Sequence, residues 1–293
     1  MALIADSRPA PCQELLKSAA AMLEEAGIDR PRWTAEQLLS RCLGCRPVEL
    51  YVEPPPVEAD HRLRFEADVA ARIGGMPLQY IMRSASFYGR DFIVGPGVFI
   101  PRPETEVLMD TVLYLIHHAA AHSPYRPVRL IDVGTGSGAI AVTIALERPD
   151  VWVTGIDVSK TALTFAKRNA DLHRVRVPFL QGDLVDPLSG QTVDLIAANL
   201  PYLDPAASGQ WPAELAWEPW LALDGGSGSG TALVRRIVRE APSVLEREGK
   251  MVLEIAPEQV AAVSEDAAAN GFLVERVVRD MAGRNRVIVL KRG

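Results

Sequence analysis

Between Val128 and Lys291, short apolar runs alternate with longer stretches of helical periodicity, and this alternation limits the possible folds more than any other feature of the sequence. The apolar runs, bounded by turn-forming residues, predict strands at 128–133, 152–157, 175–180, 193–198, 251–255, 272–279 and 286–291. The stretches between them predict helices at 138–147, 160–172, 231–248 and 258–270. Such alternation predicts an α/β fold with a doubly wound, mostly parallel seven-stranded sheet, covered by helices on both faces. The last two strands are expected to pair antiparallel at one side of the sheet.

The chain before this region carries helical signals only. Apolar residues at helical spacing predict helices at 12–26, 34–43 and 57–73. Thr34 is expected to cap the second of these helices, with Gln37 reaching back to the chain before it. We therefore predict a small helical domain at residues 1–84.

A connector with a different pattern follows the helical domain. Short extended pieces around a glycine predict a β-hairpin within residues 85–103. A helix then runs to about Ala121, and Thr105 or Glu104 is expected to satisfy its first amides. The α/β domain accordingly occupies residues 104–293 in this prediction.

Composition excludes several classes of protein. The net charge of −6 and the pI near 5.5 do not fit a protein that holds nucleic acid through its phosphates, because such a protein carries an excess of basic residues. No apolar run approaches the roughly 20 residues of a membrane span, and the N-terminus shows no secretory signal, so the cytoplasm is the expected location. Three cysteines argue against a disulfide framework. Cys42 and Cys45 have no second pair and no histidine at finger spacing, so no metal site is predicted.

The strand predicted at 193–198 ends in a turn with unusual chemistry. The strand places Asn199 at the carboxyl edge of the sheet, where ligands of such sheets bind. Pro201 holds the Asn199 amide oxygen and the Leu200 carbonyl in one direction. Two adjacent acceptors suit one NH2 group, and Tyr202 would lie flat against the planar group that carries it. Asn199, Leu200, Pro201 and Tyr202 are therefore the candidate catalytic residues, with an ordinary strand-to-loop turn as the alternative.

A glycine-rich loop follows the first predicted strand of the α/β domain. Its spacing is G-x-G-x-G with no Lys-Ser/Thr after it, so it matches neither a dinucleotide fingerprint nor a P-loop. Asp157, at the end of the next strand, can accept both hydroxyls of a ribose. These features together predict a site for a nucleoside-type ligand. The candidate binding residues are Gly134, Thr135, Gly136, Ser137, Gly138 and Asp157.

The combination of the glycine-rich loop, Asp157 and the Asn-x-Pro-Tyr turn resembles that of the class I S-adenosylmethionine-dependent methyltransferases. Nearly the whole chain is similar to one family among them, the peptide chain release factor glutamine methyltransferases. The similar segments also include 77–81, 87–94, 100–106, 218–219, 222–226 and Glu254. Ile100-Pro-Arg-Pro-Glu-Thr-Glu106 is the most family-specific of them. The chain departs from the family pattern at Leu200, where a proline is usual, and at Arg83, where relatives commonly have glycine.

The resemblance implies an activity and partners. It implies methyl transfer from S-adenosylmethionine to the side-chain amide nitrogen of the glutamine in the Gly-Gly-Gln motif of release factors. It places Asp183 and Leu184 beside the adenine, with a plain turn as the alternative for this segment, and adds Asn199 to the cofactor contacts. The helical domain would recognise the release factor, with no direct binding of nucleic acid or membrane, and the enzyme would be a monomer.

The sequence leaves three further functions open. The first is a nucleic-acid adenine methyltransferase, because Asn-Leu-Pro-Tyr is typical of ribosomal RNA adenine dimethyltransferases and adenine also presents a planar NH2 group. The second is a ribosomal protein glutamine methyltransferase, and the third is a non-catalytic cofactor-binding scaffold. Trp211, Trp217 and Trp220 could line the substrate entrance or pack a long loop onto the sheet.

Overall fold

The computed structural model describes four stretches of the chain, residues 12–122, 126–188, 190–227 and 229–293. They divide between Arg83 and Ser84 into two compact units. The first eleven residues, on which the expectation of no secretory signal depends, lie outside the described stretches. Within those stretches, no helix combines the length and apolar character that crossing a membrane requires.

The described part of the first unit is helical. Its helices are α1 (Cys12–Glu25), α2 (Pro31–Leu43), α3 (Glu49–Val52), α4 (Ala59–Ile73) and α5 (Leu78–Met82). Leu16, Leu38 and Phe65 are fully or almost fully buried between α1, α2 and α4. This unit therefore has a hydrophobic core of its own.

The predicted start of α2 is wrong. The helix begins at Pro31, three residues before the expected cap Thr34, which is instead buried inside the helix. Proline suits a first helical position because its φ is already helical and its missing N–H would have no partner there. Arg30 precedes it in the left-handed region, at φ 49°. The following long helix, α4, likewise begins at Ala59, two residues later than predicted.

The second unit opens with the predicted β-hairpin. Strands β1 (Ser84–Phe87) and β2 (Arg90–Ile93) pair antiparallel around a two-residue turn, Tyr88-Gly89. Both turn residues have positive φ, at 51° and 70°, which matches the twist of a tight hairpin. A short 3₁₀ turn, Pro103–Thr105, then leads into a helix, α6 (Glu106–His122).

The rest of the unit is a layered α/β structure. Its helices are α7 (Ala139–Glu147), α8 (Lys160–Leu172), α9 (Ala232–Glu240) and α10 (Val260–Ala269). Its strands are β3 (Arg129–Val133), β4 (Trp152–Asp157), β5 (Phe179–Gln181), β6 (Val193–Ala198), β7 (Leu245–Glu254), β8 (Phe272–Arg279) and β9 (Asn285–Arg292). Neighbouring residues of one strand, such as Leu130 and Ile131, join different buried clusters, so both faces of the sheet are covered.

The strands form one seven-stranded sheet in the order β5-β4-β3-β6-β7-β9-β8. The first five strands of this order pair parallel, and β9 pairs antiparallel with both β7 and β8. The predicted doubly wound, mostly parallel sheet with an antiparallel pair at one side is confirmed.

Three predicted boundaries in this unit are wrong. Strand β7 begins at Leu245, six residues before its predicted start and within the stretch predicted as a helix. Strand β5 covers only residues 179–181, because the N–H of Val175 donates to the carbonyl of Ala170 and closes the end of α8 instead of entering the sheet. Helix α9 ends at Glu240, eight residues before its predicted end. Pro242 follows in a 3₁₀ turn, since proline has no N–H to continue the helix.

The register of the central strands brings the candidate site together. Val133, the last residue of β3, lies opposite Ile156 of β4 and Ala198 of β6. The glycine loop, Asp157 and Asn199 therefore leave the sheet side by side at its carboxyl edge. The chain order reverses here, which is where open α/β sheets form a crevice for a ligand.

Candidate active site

A cavity of about 450 Å³ lies at this edge of the sheet. Most of the residues predicted from the sequence line it, namely Gly134, Thr135, Gly136, Ser137, Asp157, Asp183, Leu184, Asn199, Leu200, Pro201 and Tyr202. Gly138 lies outside this lining, against α8, where an added Cβ would come within 3.1 Å of Ala166. Its lack of a side chain thus serves packing between α7 and α8.

The glycine loop is bound tightly to its surroundings. The N–H groups of Gly134 and Thr135 both donate to the carbonyl of Ile156, at 2.8 and 2.9 Å. Gly134 has φ +73°, and a Cβ there would lie 3.0 Å from Cδ2 of Leu200. The loop therefore contacts the Asn199–Tyr202 turn directly, and glycine leaves the space for that contact.

Asp157 holds the loop from the neighbouring strand. Its Oδ2 accepts the N–H of Gly136 and its Oδ1 accepts the N–H of Ser159, both at 2.8 Å. Burial raises the pKa of this carboxyl, and the two hydrogen bonds oppose that rise. Each oxygen keeps a second acceptor position, so Asp157 can also receive hydroxyl groups of a ligand in the cavity.

Beneath the loop lies a second carboxyl group, that of Asp132. It is fully buried, and its Oδ2 accepts the Thr135 hydroxyl at 2.6 Å and the Ala141 N–H at 3.2 Å. Its Oδ1 has no hydrogen-bond partner among the described residues. Burial raises the pKa of Asp132 to about 7.

Hydrogen bonds with three side chains hold the Asn199–Tyr202 turn in place. The Nδ2 of Asn199 donates to Oγ1 of Thr105 at 2.9 Å. The Tyr202 hydroxyl donates to Oε1 of Glu254 at 3.0 Å, and the Tyr202 carbonyl accepts Nε2 of Gln259 at 3.0 Å. Burial and then the Glu254 charge raise the pKa of Tyr202, so its phenol stays protonated at neutral pH.

An ion pair between the half-buried Arg102 and the buried Glu218 ties the segment before α6 to the loop after the turn. Glu218 accepts the N–H of Ile100 at 2.9 Å and pairs with the guanidinium of Arg102. Burial raises the pKa of Glu218, against the attraction of Arg102. The arginine also lies over the ring of Phe99, and both residues line the cavity.

Comparisons with known proteins identify the family. Residues 14–82 match the PrmC N-terminal domain, and residues 126–279 match a methyltransferase domain. The release factor glutamine methyltransferase of Moorella thermoacetica is 38% identical over 287 residues, covering 96% of this chain and 98% of its own. That of Geobacter sulfurreducens is 37% identical over 268 residues, covering 91% of each chain. This chain belongs to the release factor glutamine methyltransferases.

A solved structure supports the fold alone. The crystal structure of a methyltransferase from Pyrococcus furiosus matches with a TM-score of 0.51 and 16% identity, covering 78% of this chain and 98% of its own.

The residues of this release factor glutamine methyltransferase fit S-adenosylmethionine, the cofactor of the family. Gly134 and Gly136 have positive φ and leave the loop backbone open to the cavity, and Asp157 offers acceptors to ribose hydroxyls. Asp183 also lines the cavity, and its carboxylate pairs with Arg236 at 3.0 Å. These residues would hold the nucleoside part of the cofactor.

The three tryptophans of the loop after the turn do not line the cavity. Trp211 and Trp220 stack on each other, with ring centroids 5.3 Å apart, and Trp217 is 41% exposed. Leu215 and Leu221 of the same loop do line it. The loop therefore contributes aliphatic side chains to the cavity while its indoles lie elsewhere.

Sequence reasoning missed two side chains that support the turn. Thr105 or Glu104 was expected to satisfy the first amides of α6, but the Thr105 hydroxyl accepts the hydrogen bond from Asn199. Gln259 donates to the carbonyls of both Tyr202 and Ser229 and accepts the N–H of Ala256. The only sequence signal for Thr105 was its position within the family-specific segment 100–106. No sequence signal marks Gln259.

Proposed function

We propose that this chain transfers a methyl group from S-adenosylmethionine to the side-chain amide nitrogen of the glutamine in the Gly-Gly-Gln motif of peptide chain release factors. Family membership supports the enzyme class, and the names of the relatives support the substrate. The single observation that carries the chemistry is the position of Asn199, which lies beside the glycine loop with its Nδ2 bound to Thr105 and its Oδ1 left for another donor.

The chemistry requires the substrate nitrogen to be aligned. An amide nitrogen is a poor nucleophile because its lone pair is delocalised into the carbonyl group. S-adenosylmethionine, when bound, supplies a methyl group already activated by a positive sulfur. Holding the two reacting groups in line can contribute roughly 7–11 kcal/mol.

Two acceptors of the turn would hold the substrate amide. Asn199 Oδ1 and the Leu200 carbonyl each accept one N–H of the glutamine. The nitrogen becomes positive as it reacts, so both hydrogen bonds strengthen, each contributing roughly 1.5–3 kcal/mol. Tyr202 packs against the amide plane. Its phenol is protonated and already donates to Glu254, so no strong base is assigned to the turn.

The helical unit is assigned to recognition of the intact release factor. The protein substrate is preferred to RNA because the chain is acidic, with a net charge of −6, and because it carries the family-specific segment at 100–106. We further propose that the enzyme acts in the cytoplasm as a monomer.

Mass spectrometry of a release factor after incubation with the protein and S-adenosylmethionine tests this function. One added methyl group on the motif glutamine is expected, and Asn199→Ala should lower kcat by about a hundredfold because one acceptor for the developing charge is lost. Asn270→Ala, at the end of α10, is the control and should leave kcat unchanged. Methylated ribosomal RNA with an unmodified release factor would support the adenine methyltransferase instead. An Asn199→Ala variant with normal turnover would exclude the proposed mechanism.

A further inference from the structure

Helix α8 holds the segment that leads from the β-hairpin to the cavity. Every second residue of this segment lies against a residue in or directly after α8, and these partners are four positions apart. The pairs are Asp91 with His173, Ile93 with Asn169, Gly95 with Phe165, and Gly97 with Thr161. Residues four apart lie on one face of a helix, so a single face of α8 holds the segment 91–97.

Asn169 is the residue of this face that also reaches the glycine loop. Its side chain is fully buried. Its Oδ1 accepts the N–H of Ile93 at 2.7 Å, and its Nδ2 donates to the carbonyl of Ile93 at 3.0 Å. The same Nδ2 donates to the carbonyl of Ser137 at 2.8 Å. One carboxamide therefore connects strand β2 with the glycine loop.

Both parts of the chain that Asn169 connects contribute to the cavity. Gly97, Val98 and Phe99, at the end of the segment held by α8, line it, and so does Ser137 of the loop. Asn169 lies behind this lining and is not part of it. A side chain outside the cavity therefore fixes the distance between two parts of its wall.

We propose that Asn169 is a positioning residue for S-adenosylmethionine, which holds the glycine loop at a fixed distance from the segment 91–99 and so sets the width of the cavity. Asn169 does not contact the cofactor in this role. The inference goes beyond the proposed function, because it concerns how the methyl donor is bound and not which acceptor is methylated.

The hydrogen bonds of the Asn169 carboxamide fix its orientation. A carboxamide carries two hydrogens on its nitrogen and an acceptor oxygen. Asn169 directs both hydrogens at carbonyl groups and its oxygen at an N–H, so the reversed group would place an oxygen against two carbonyl oxygens. Gly138 adds a packing contact between the loop and α8, since an added Cβ there would lie 3.1 Å from Ala166. The loop is thus held against α8 by a directed hydrogen bond as well as by close packing.

Calorimetric titration of three full-length variants with S-adenosylmethionine tests the proposal. Asn169→Leu has nearly the same size but forms no hydrogen bond, and it should raise the Kd by roughly ten- to a hundredfold because binding must hold the Ser137 carbonyl without its donor. Asn169→Ala removes the same groups without adding bulk, and it carries the same expectation if the leucine variant does not fold.

His173→Ala is the matched control. It removes the donor to the Asp91 carbonyl at 2.9 Å on the same face. Among the described residues, the His173 ring hydrogen-bonds to the segment and not to the loop. The Kd of this variant should therefore stay normal.

Hydrogen–deuterium exchange without the cofactor provides a readout independent of affinity. Asn169→Ala should speed amide exchange in both 91–99 and 134–138, because the two stretches lose their common partner. His173→Ala should speed it in the first stretch alone. A residue with a merely structural role would instead speed exchange throughout the second unit.

The proposal is overturned if a folded Asn169 variant binds S-adenosylmethionine with normal affinity, if His173→Ala weakens binding equally, or if exchange rises throughout the unit. On a release factor, the KM for S-adenosylmethionine should rise with the Kd, while kcat at saturating cofactor changes much less. Failure of the unmodified protein to methylate any release factor would remove the proposed function, and the binding and exchange results for Asn169 would stand.

Discussion

The carboxyl group of Asp132 has the most perturbed environment among the residues of the glycine loop region. It is fully buried below Thr135, and one of its oxygens lacks a partner among the described residues. Its pKa is raised from 3.8 to about 7, first by burial and in small part by the charge of Asp157. The folded protein therefore holds a proton on Asp132 over a pH range in which the unfolded chain has released it.

Because Asp132 binds this proton only in the folded protein, the free energy of unfolding should change with pH. Because the pKa of Asp132 is higher in the folded than in the unfolded protein, this residue contributes stability that is fully present below pH 3.8. That contribution is lost as the pH rises to about 7. Asp132→Asn imitates the neutral carboxyl, so the free energy of unfolding of the variant minus that of the unmodified protein should increase across this range. The increase can reach about 4 kcal/mol, and urea unfolding at several pH values measures it.

Asp150→Asn is the control for that experiment. Arg148 lowers the pKa of Asp150, so its contribution to stability is already complete above about pH 5. The stability difference of this variant should be constant between about pH 5 and 7. A similarly constant difference for Asp132→Asn would show that Asp132 is ionised in the folded protein.

Single residues also show what the sequence could and could not predict about the site. Asn199 and Asp157 were predictable because each ends an apolar run, and the ends of parallel strands meet at one edge of a sheet. Thr105 and Gln259 were not, because their partners lie 94 and 57 positions away in the sequence. Only the folded chain shows which main-chain and side-chain groups they support.

At the scale of secondary structure, the position of the glycine loop depends on a glycine in the middle of a strand. The ring of Phe179 from β5 and the hydroxyl of Thr135 from the loop both lie next to Gly155 of β4. A Cβ at this position would lie 2.7 Å from the Phe179 ring and 2.8 Å from Oγ1 of Thr135. The strand thus allows the loop and the neighbouring strand to approach each other closely.

Gly155→Ala should therefore weaken both stability and cofactor binding. We expect a loss of roughly 1–3 kcal/mol in the free energy of unfolding from overpacking, together with weaker S-adenosylmethionine binding because Thr135 must move. Thermal unfolding and calorimetric titration measure the two effects. Gly209→Ala is the control, since a Cβ there meets nothing within 4 Å and should change neither quantity. Unchanged cofactor affinity in Gly155→Ala would show that the loop tolerates the displacement.

The sequence predicted the order and type of the long elements well, and it failed at boundaries set by local hydrogen bonds. Helix α8 and strands β4 and β6 match their predicted limits because apolar periodicity extends over their whole length. Strand β5 is short because an amide before it is used to close a helix. Such competition between partners is not visible in apolar periodicity.

For the molecule as a whole, the division between Arg83 and Ser84 separates two units with separate cores. All residues that line the cavity belong to the second unit. The proposed cofactor site can therefore form without the helical unit, to which we propose to assign recognition of a large protein substrate.

A protein that begins at Ser84 should fold and bind S-adenosylmethionine with an affinity close to that of the full chain. Its kcat/KM on an intact release factor should fall by about tenfold or more, equivalent to at least about 1.4 kcal/mol of lost recognition. A short peptide with the Gly-Gly-Gln motif is the control substrate, and both proteins should methylate it alike. Full activity of the shortened protein on the intact release factor would restrict the helical unit to a structural role.

The contact between Gly134 and Leu200 has a consequence for how these enzymes can diverge. The loop that we propose to face the methyl donor and the turn that we propose to face the methyl acceptor approach each other closely here, with 3.0 Å between a Cβ added to Gly134 and the Leu200 methyl. Gly134 also has φ +73°, so a side chain at this position would be strained as well as crowded by Leu200. We therefore expect position 134 to remain glycine among homologues while position 200 changes, so that divergence at this contact is confined to the turn.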